Sequence, residues 1–251
     1  MPSIKTIQEV LNQLDGIIAE SIANNSRLGL FAYVYRRTTA EIANEIALGN
    51  FEDNKRMEDF DVAFANLYLV AYENYKTQKP VSKSWAFAFD QAEHQLTIIQ
   101  HILFGMNAHI NLDLSIATAQ TMKGKDIKII ENDFNKVNDI LFQITNELQE
   151  RLSRVSPLMF LLDLIGKNSD EKIIDFSMRK ARDQAWNSAN LLWSLGESDK
   201  EKVIKSIDGL VLKLNQLIKS PKSFLARTLL KFMKLFEKDD VKKIINKLKE
   251  V

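Results

Sequence analysis

The sequence predicts an all-α protein, a single multi-helix bundle around a buried central helix with a basic amphipathic helical segment at its C-terminus. The chain has only 8 Gly and 4 Pro among 251 residues, so helix-breaking residues are scarce. Apolar residues recur at spacings of three and four, and strand-like alternation is rare. We therefore expect one bundle domain over residues 1–199 and a basic helical segment over residues 200–251, packed on the same domain.

The composition and the missing motifs remove several classes of protein. There is no Cys, which excludes disulfides, thiolate zinc sites and a Cys nucleophile. No stretch reaches 18 unbroken apolar residues, so we expect no transmembrane segment. The N-terminus lacks a secretory pattern, and we expect a cytoplasmic protein. A glycine-rich phosphate loop, GxSxG, HExxH and Glu-x-x-His are all missing, and the cofactor stays unknown.

The first three helices are expected at residues 3–22, 28–48 and 60–75, with a polar linker at 49–59. In the third helix, a carboxylate and two phenols fall on one line at spacings of three and four. That line either points into a pocket or forms a half-exposed edge of the bundle. Its members are Asp61, Ala65, Tyr68 and Tyr72.

The central helix is expected to run from Trp85 to Met122, with a possible interruption at residues 107–113. It is apolar almost all round, which is typical of a helix in the middle of a bundle. Buried polar groups cost about 1–3 kcal/mol when they have no partner. Other helices should therefore bring polar side chains to meet those of this stretch.

Two pairs of polar residues are set into the central helix at a spacing of four. His109 and Asp113 share one side, and Asn107 and Asn111 share the other. This spacing predicts that the two members of each pair meet. His109 is the acid/base candidate, with Asp113 orienting its ring.

All three histidines of the chain lie in the central stretch, but they do not form one metal site. His94 and His101 are about 10.5 Å apart along a helix, and His101 and His109 are about 12 Å apart. Metal–nitrogen bonds are about 2 Å long, so one helix cannot place two of these rings on one ion. The remaining metal candidates are His109, Asp113 and Asp61.

The later helices are expected at residues 126–154, 171–195, 199–217, 224–236 and 239–248, with a short core helix or lid near 157–166. The helix at 171–195 is rich in charge. It can deliver the guanidinium groups of Arg179 and Arg182 to Asp113 or Asp90. The alternative is a surface helix of ion pairs.

The charge is unevenly divided along the chain. Residues 200–251 hold 14 Lys+Arg and 6 Asp+Glu, whereas the rest holds 20 and 27. One apolar stripe of the basic segment is expected to pack on its own domain, and the alternative is an anionic membrane surface reached through residues 219–251. No motif supports nucleic acid as a partner. The stripe consists of Leu225, Leu229, Phe232 and Phe236.

Five segments carry a resemblance to a known family: VYRRTTAEIANEI, NFEDNKRMEDFDVAFANLYL, PVSKSWAFAFD, LFGMNAHINLDLSIA and FSMRKARDQAWNSA. They resemble a bacterial family of uncharacterised helical proteins with an NAHINxDL signature. The resemblance implies an all-α fold and one continuous domain, and it implies no reaction. It also implies that the family pattern includes Arg36, Arg37, Asp61, Trp85, His101, Asn107, His109, Asn111, Asp113, Arg179, Arg182 and Trp186.

Two functions follow as hypotheses. The first is an enzyme or small-molecule binder with a buried polar pocket, in which His109, Asp113 and His101 are catalytic. Its ligand would be a small anionic molecule. The expected substrate-binding residues are Asn107, Asn111, Arg179, Arg182, Asp61 and Tyr68. The second is a non-catalytic scaffold or membrane-surface protein, in which the buried polar residues only fix the register of the helices.

Overall fold

The computed structural model describes residues 4–156, 158–159 and 178–250. These residues form α-helices and no β-strand, which confirms the all-α prediction. The helices are α1 Ile7–Ala23, α2 Leu28–Ala47, α3 Asn54–Lys76, α4 Lys83–Asp90, α5 Ile98–Ala108, α6 Leu114–Thr121, α7 Glu131–Val155, α8 Met178–Ser194, α9 Glu197–Lys219, α10 Phe224–Phe236 and α11 Val241–Lys249. Short 3₁₀ turns lie at Gln91–Glu93 and Ile127–Ile130, and His109–Asp113 is a π-helical segment joining α5 to α6.

The central stretch is not one helix from Trp85 to Met122, and that prediction is wrong at residues 91–97. The chain leaves α4 through the 3₁₀ turn and becomes extended at His94. Thr97 then starts α5: its hydroxyl accepts from the Gln100 N–H, and the Gln100 side chain accepts from the Thr97 N–H. This reciprocal capping box defines a new helix start directly after a mostly polar stretch, residues 90–97. From residue 98 to residue 121 the helical path is continuous and mostly buried.

The predicted linker at residues 49–59 is helical in its second half. α3 begins at Asn54, because the Asp53 side chain accepts a hydrogen bond from the Arg56 N–H at 2.9 Å and so caps the helix. The early start of α3 gives it more than one additional turn before Phe60.

The C-terminal helices are joined to the central stretch by two buried carboxylates. Asp208 of α9 accepts from the N–H groups of Lys83 and Ser84 at the start of α4. Glu237, after α10, accepts from the Ile98 N–H at the start of α5, at 2.8 Å. A helix start offers unpaired N–H donors and a positive dipole end, so a carboxylate there is stabilising.

The face that helix α10 turns inward lies about 100° around the helix axis from the one we expected. Leu230 and Met233 are buried, whereas Leu225, Phe232 and Phe236 are exposed. The expectation that this apolar stripe packs on the domain is therefore wrong for three of its four members. No helix in the described parts of the chain is long and apolar enough to cross a membrane. The expected core helix or lid at residues 157–166 lies almost entirely outside the described residues.

Candidate functional site

A cavity of about 710 Å³ lies among side chains of α2, α3, α5, α7 and α8. Most of its lining is aliphatic or aromatic, including Ile42, Ile102 and Leu103. Gln149 and Ser153 of α7 also border it and are exposed, so the cavity reaches the surface there. Cavities of roughly 300–1,000 Å³ with a few polar groups are typical of small-molecule sites.

The imidazole of His109 lies in the wall of this cavity and is oriented by Asp113. Its Nδ1 is 2.9 Å from Oδ2 of Asp113. The same oxygen accepts a hydrogen bond from the indole N–H of Trp85, also at 2.9 Å. An indole nitrogen can only donate, so Asp113 is an acceptor here. In the tautomer in which Nδ1 of His109 donates to this oxygen, Nε2 keeps a free lone pair.

Aromatic side chains hold the His109 ring in place. Phe64 stacks on it with ring centroids 3.7 Å apart and planes within 7°, and Tyr35 meets it edge-on at 4.4 Å. Burial lowers the pKa of His109, although the neighbouring carboxyl of Asp113 opposes the change. Burial likewise raises the pKa of Asp113, against the hydrogen bond from His109. The imidazole is therefore a neutral base rather than a cation at neutral pH.

The backbone at this point is unusual as well. His109–Asp113 forms a π-helical turn within an otherwise α-helical path. Single π turns are rare and are frequently found at functional sites. The turn contains both members of the hydrogen-bonded pair.

Asp61 of α3 and Arg182 of α8 are buried side chains that line the same cavity. Burial raises the pKa of Asp61 to about 7, with the positive charge of Arg182 opposing the shift. Burial lowers the pKa of Arg182 to about 9, and the charges of Asp183 and Asp61 oppose it. Arg182 is anchored through Nε to the side-chain oxygen of Asn138 and through a second nitrogen to the Phe134 carbonyl. An Asp that is partly protonated at neutral pH can give or take a proton.

Four buried polar atoms that belong to cavity-lining residues make no hydrogen bond within the described part of the chain. They are Oδ2 of Asp61, Nε2 of His109, the Tyr35 hydroxyl and the Thr39 hydroxyl. Buried polar atoms are nearly always satisfied, so a group of unsatisfied ones around a cavity indicates a place for a ligand. Sequence analysis missed Tyr35 and Thr39. Their spacing of four in the second helix was the signal that could have found them.

His101 does not share the cavity with His109. It borders a separate pocket of about 20 Å³, together with Arg27 and Gly105, which has room for about one water molecule. Burial lowers the pKa of His101 to about 3, and the charges of Arg27 and Lys234 lower it further. The side chain of Phe31 lines both pockets and lies between them.

Asn107 and Asn111 bond to each other and to α9, outside the cavity. The Asn111 amide donates to the Asn107 oxygen, and the Asn107 amide donates to the Val211 carbonyl and to the Asn215 side chain. These hydrogen bonds hold α5 against α9. They favour a structural role for the two Asn side chains over the expected role in substrate binding.

The other predicted site residues are dispersed. Arg179 is exposed and lies 3.7 Å from Asp139 on the surface. Tyr68 is buried against Trp85, and the half-exposed edge considered for its helix face is wrong because Asp61, Tyr68 and Tyr72 are all buried. No three His, Asp or Glu side chains of the described residues are grouped closely enough to hold a metal ion. His109, Asp113 and Asp61 thus do not form the triad considered from the sequence.

A model of a family of unknown function, DUF5995, matches residues 7–221. The chain belongs to this family. The match extends beyond the segments that carry the resemblance and includes all of α9, whose Asp208 and Asn215 contact the central stretch. No curated protein and no solved structure matches the chain.

Proposed function

We propose that this DUF5995 protein is a small-molecule enzyme or binder whose ligand occupies the cavity beside His109. The observation that carries the proposal is the free Nε2 of His109, which belongs to a ring oriented by Asp113 in the wall of a large apolar cavity. An imidazole whose other nitrogen is bonded to a carboxylate is the usual arrangement of a general base.

Two groups of different acidity in one cavity provide an acid–base pair. His109 is neutral and accepts a proton at Nε2, while Asp61, with a pKa of about 7, donates one. The hydroxyls of Tyr35 and Thr39 supply further donors to a bound polar group. Pairs of titratable groups pushed apart in this way define the acid and base roles in many active sites.

The chemistry of the lining selects a ligand with an apolar body and one polar end. Aliphatic side chains cover most of the cavity, and the polar atoms are confined to a few residues. Arg182 is the cationic side chain among the described lining residues, so we expect an acidic group of the ligand to bind near it. A long-chain carboxylic acid combines these features and serves as a probe of the class.

Binding of cis-parinaric acid, a fluorescent long-chain carboxylic acid, tests the proposal. We expect saturable binding to the purified protein. His109→Gln should weaken it about tenfold, because the change removes the oriented imidazole in the cavity wall. Leu103→Trp should weaken it as well by narrowing the cavity, since Leu103 is in the lining.

The matched control is His101→Gln, which changes another buried histidine that lies outside the cavity. Its affinity for the probe should equal that of the wild type. Binding that Leu103→Trp leaves unchanged, or that is weakened equally by both histidine changes, would contradict the proposal. Circular dichroism and the thermal midpoint show whether each variant is folded.

A second candidate function is binding through the surface of the C-terminal helices. The specific observation in its favour is the apolar side chains that α10 exposes. In this case the hydrogen-bonded core positions the helices, and α10 makes the contact. Replacing the exposed side chains of α10 separates the two candidates, because it leaves the probe affinity of the cavity unchanged.

A further inference from the structure

Helix α10 presents an apolar face to the solvent. Its exposed apolar side chains are between 47% and 79% exposed, and they fall on one arc of about 120° when residues are placed 100° apart. A soluble helix normally buries such an arc and exposes its polar face. The members of this exposed face, which we call the α10 face, are Phe224, Leu225, Phe232, Leu235 and Phe236.

Basic residues flank the α10 face. Helix α10 contains Arg227, Lys231 and Lys234 and no acidic residue. Lys231 on the helix, Lys222 before it and Lys238 after it are exposed, and within the described residues none of the three is in an ion pair. Lys234 by contrast pairs with Asp239. The free cations therefore lie around the apolar side chains at both ends and along one edge.

We propose that the α10 face docks on the surface of an anionic lipid bilayer. Phe and Leu side chains enter the boundary between headgroups and acyl chains, and the flanking lysines remain at the level of the anionic headgroups. This inference rests on the second candidate function, surface binding through the C-terminal helices, and gives that surface its partner.

Charge complementarity favours a bilayer over a second protein. A protein interface with an apolar centre is depleted of Lys, which is costly to desolvate. At a membrane interface, a lysine keeps its ammonium group in water while its alkyl stem covers apolar surface. The arrangement of free lysines around exposed Phe and Leu side chains fits the second environment.

The opposite side of α10 packs next to the cavity. Leu230 and Met233 contact Ile99 and Met159, and both of these also line the cavity. A helix with its side chains is about 10 Å across. Docking through the α10 face would therefore hold the cavity about one helix diameter from the lipid, where apolar ligands are concentrated.

Vesicle flotation of the full chain tests this proposal. We expect the protein to float with phosphatidylcholine vesicles that contain phosphatidylglycerol, to float poorly with phosphatidylcholine alone, and to be released at high salt. Phe224→Ser combined with Leu235→Ser should weaken binding at least about tenfold. Lys231→Glu combined with Lys238→Glu should remove the preference for the anionic vesicles.

The control variant is Leu48→Ser combined with Phe142→Ser, which removes side chains that are 64% and 71% exposed and lie outside α10. It should bind vesicles like the wild type. Failure of the wild type to float at low salt, or equal flotation of the α10 and control variants, would overturn the proposal. Self-association that depends on the α10 face, measured by sedimentation velocity, would also overturn it while leaving the second candidate function standing.

Discussion

Two buried histidines of this protein, His109 and His101, lie two turns apart on one helical path, and their surroundings differ. Each has an Nε2 atom without a hydrogen-bond partner among the described residues. His109 has a carboxylate on its other nitrogen and borders a cavity of about 710 Å³. His101 has no carboxylate partner within the described chain and borders a pocket of about 20 Å³.

This difference in surroundings supports the role proposed for His109 and does not support one for His101. Burial and an unsatisfied nitrogen are common to both rings, so neither feature identifies a base. What distinguishes His109 is orientation by Asp113 and space for a ligand beside the free nitrogen. The charges near His101 are cations, which oppose protonation of its ring.

The largest expected effect is a loss of folding stability when His109 loses its carboxylate partner. Asp113→Ala removes the acceptor of two buried donors, the Trp85 indole and the His109 ring. We expect a loss of about 3–5 kcal/mol in the free energy of unfolding, measured with a chemical denaturant. Asp113→Asn retains one acceptor oxygen and should lose less. A cost below about 1 kcal/mol for Asp113→Ala would mean that the carboxylate does not hold the ring.

The second expected effect is a dependence of folding stability on pH that comes from His101. The pKa of His101 is about 3 in the folded protein and about 6.5 in the unfolded chain, so between these values only the unfolded chain is protonated. Folding stability is therefore lost as the pH falls through this window. From pH 6 to pH 4, wild type should lose about 2–3 kcal/mol more than His101→Leu.

Denaturant titrations of wild type and His101→Leu at both pH values measure this difference. Titration of the carboxylates is shared by the two proteins and cancels in the comparison. Parallel pH profiles would show that the pKa of His101 is the same in the folded and unfolded states, and hence that water reaches its pocket.

The smallest expected effect concerns the ring of Phe31, which lies between the two pockets. A Cβ atom added at Gly105 would overlap the ring of Phe31, which lines both pockets. Ala is favoured over Gly in a helix by about 1 kcal/mol, but overpacking costs about 1–3 kcal/mol. We expect Gly105→Ala to lower the unfolding free energy by about 1 kcal/mol and to weaken probe binding. A more stable variant would show that Phe31 moves freely.

Local patterns predicted much of the fold because helix formation follows nearby residues. The bounds of α10 and the contact between His109 and Asp113 both follow from spacings of three and four. The break before α5 was missed although the sequence carries its signal: residues 90–97, DQAEHQLT, are mostly polar, and Thr97 followed by Gln100 fits the capping-box pattern. A local pattern also could not tell which face of α10 is buried, since that depends on neighbours distant in the sequence.

The composition of the cavity wall was harder to predict for the same reason. Asp61 and Arg182 are more than a hundred residues apart, and nothing in their own helices indicates that each modifies the charge state of the other. Tyr35 and Thr39 were not predicted as site residues, because pairs of residues spaced by four are common in a helix rich in apolar and aromatic residues. Their importance appears only once the cavity beside them is known.

The π turn at His109–Asp113 has a consequence for how the helices on either side of it pack. A π turn holds one more residue than an α turn, so it rotates everything that follows by about 100° about the axis. Helix α5 before it packs on α9, and α6 after it packs on α8. The extra residue thus lets one uninterrupted rod present matching surfaces to two different neighbours. Removing a single residue there should misalign α6 with α8 even though every remaining side chain is native.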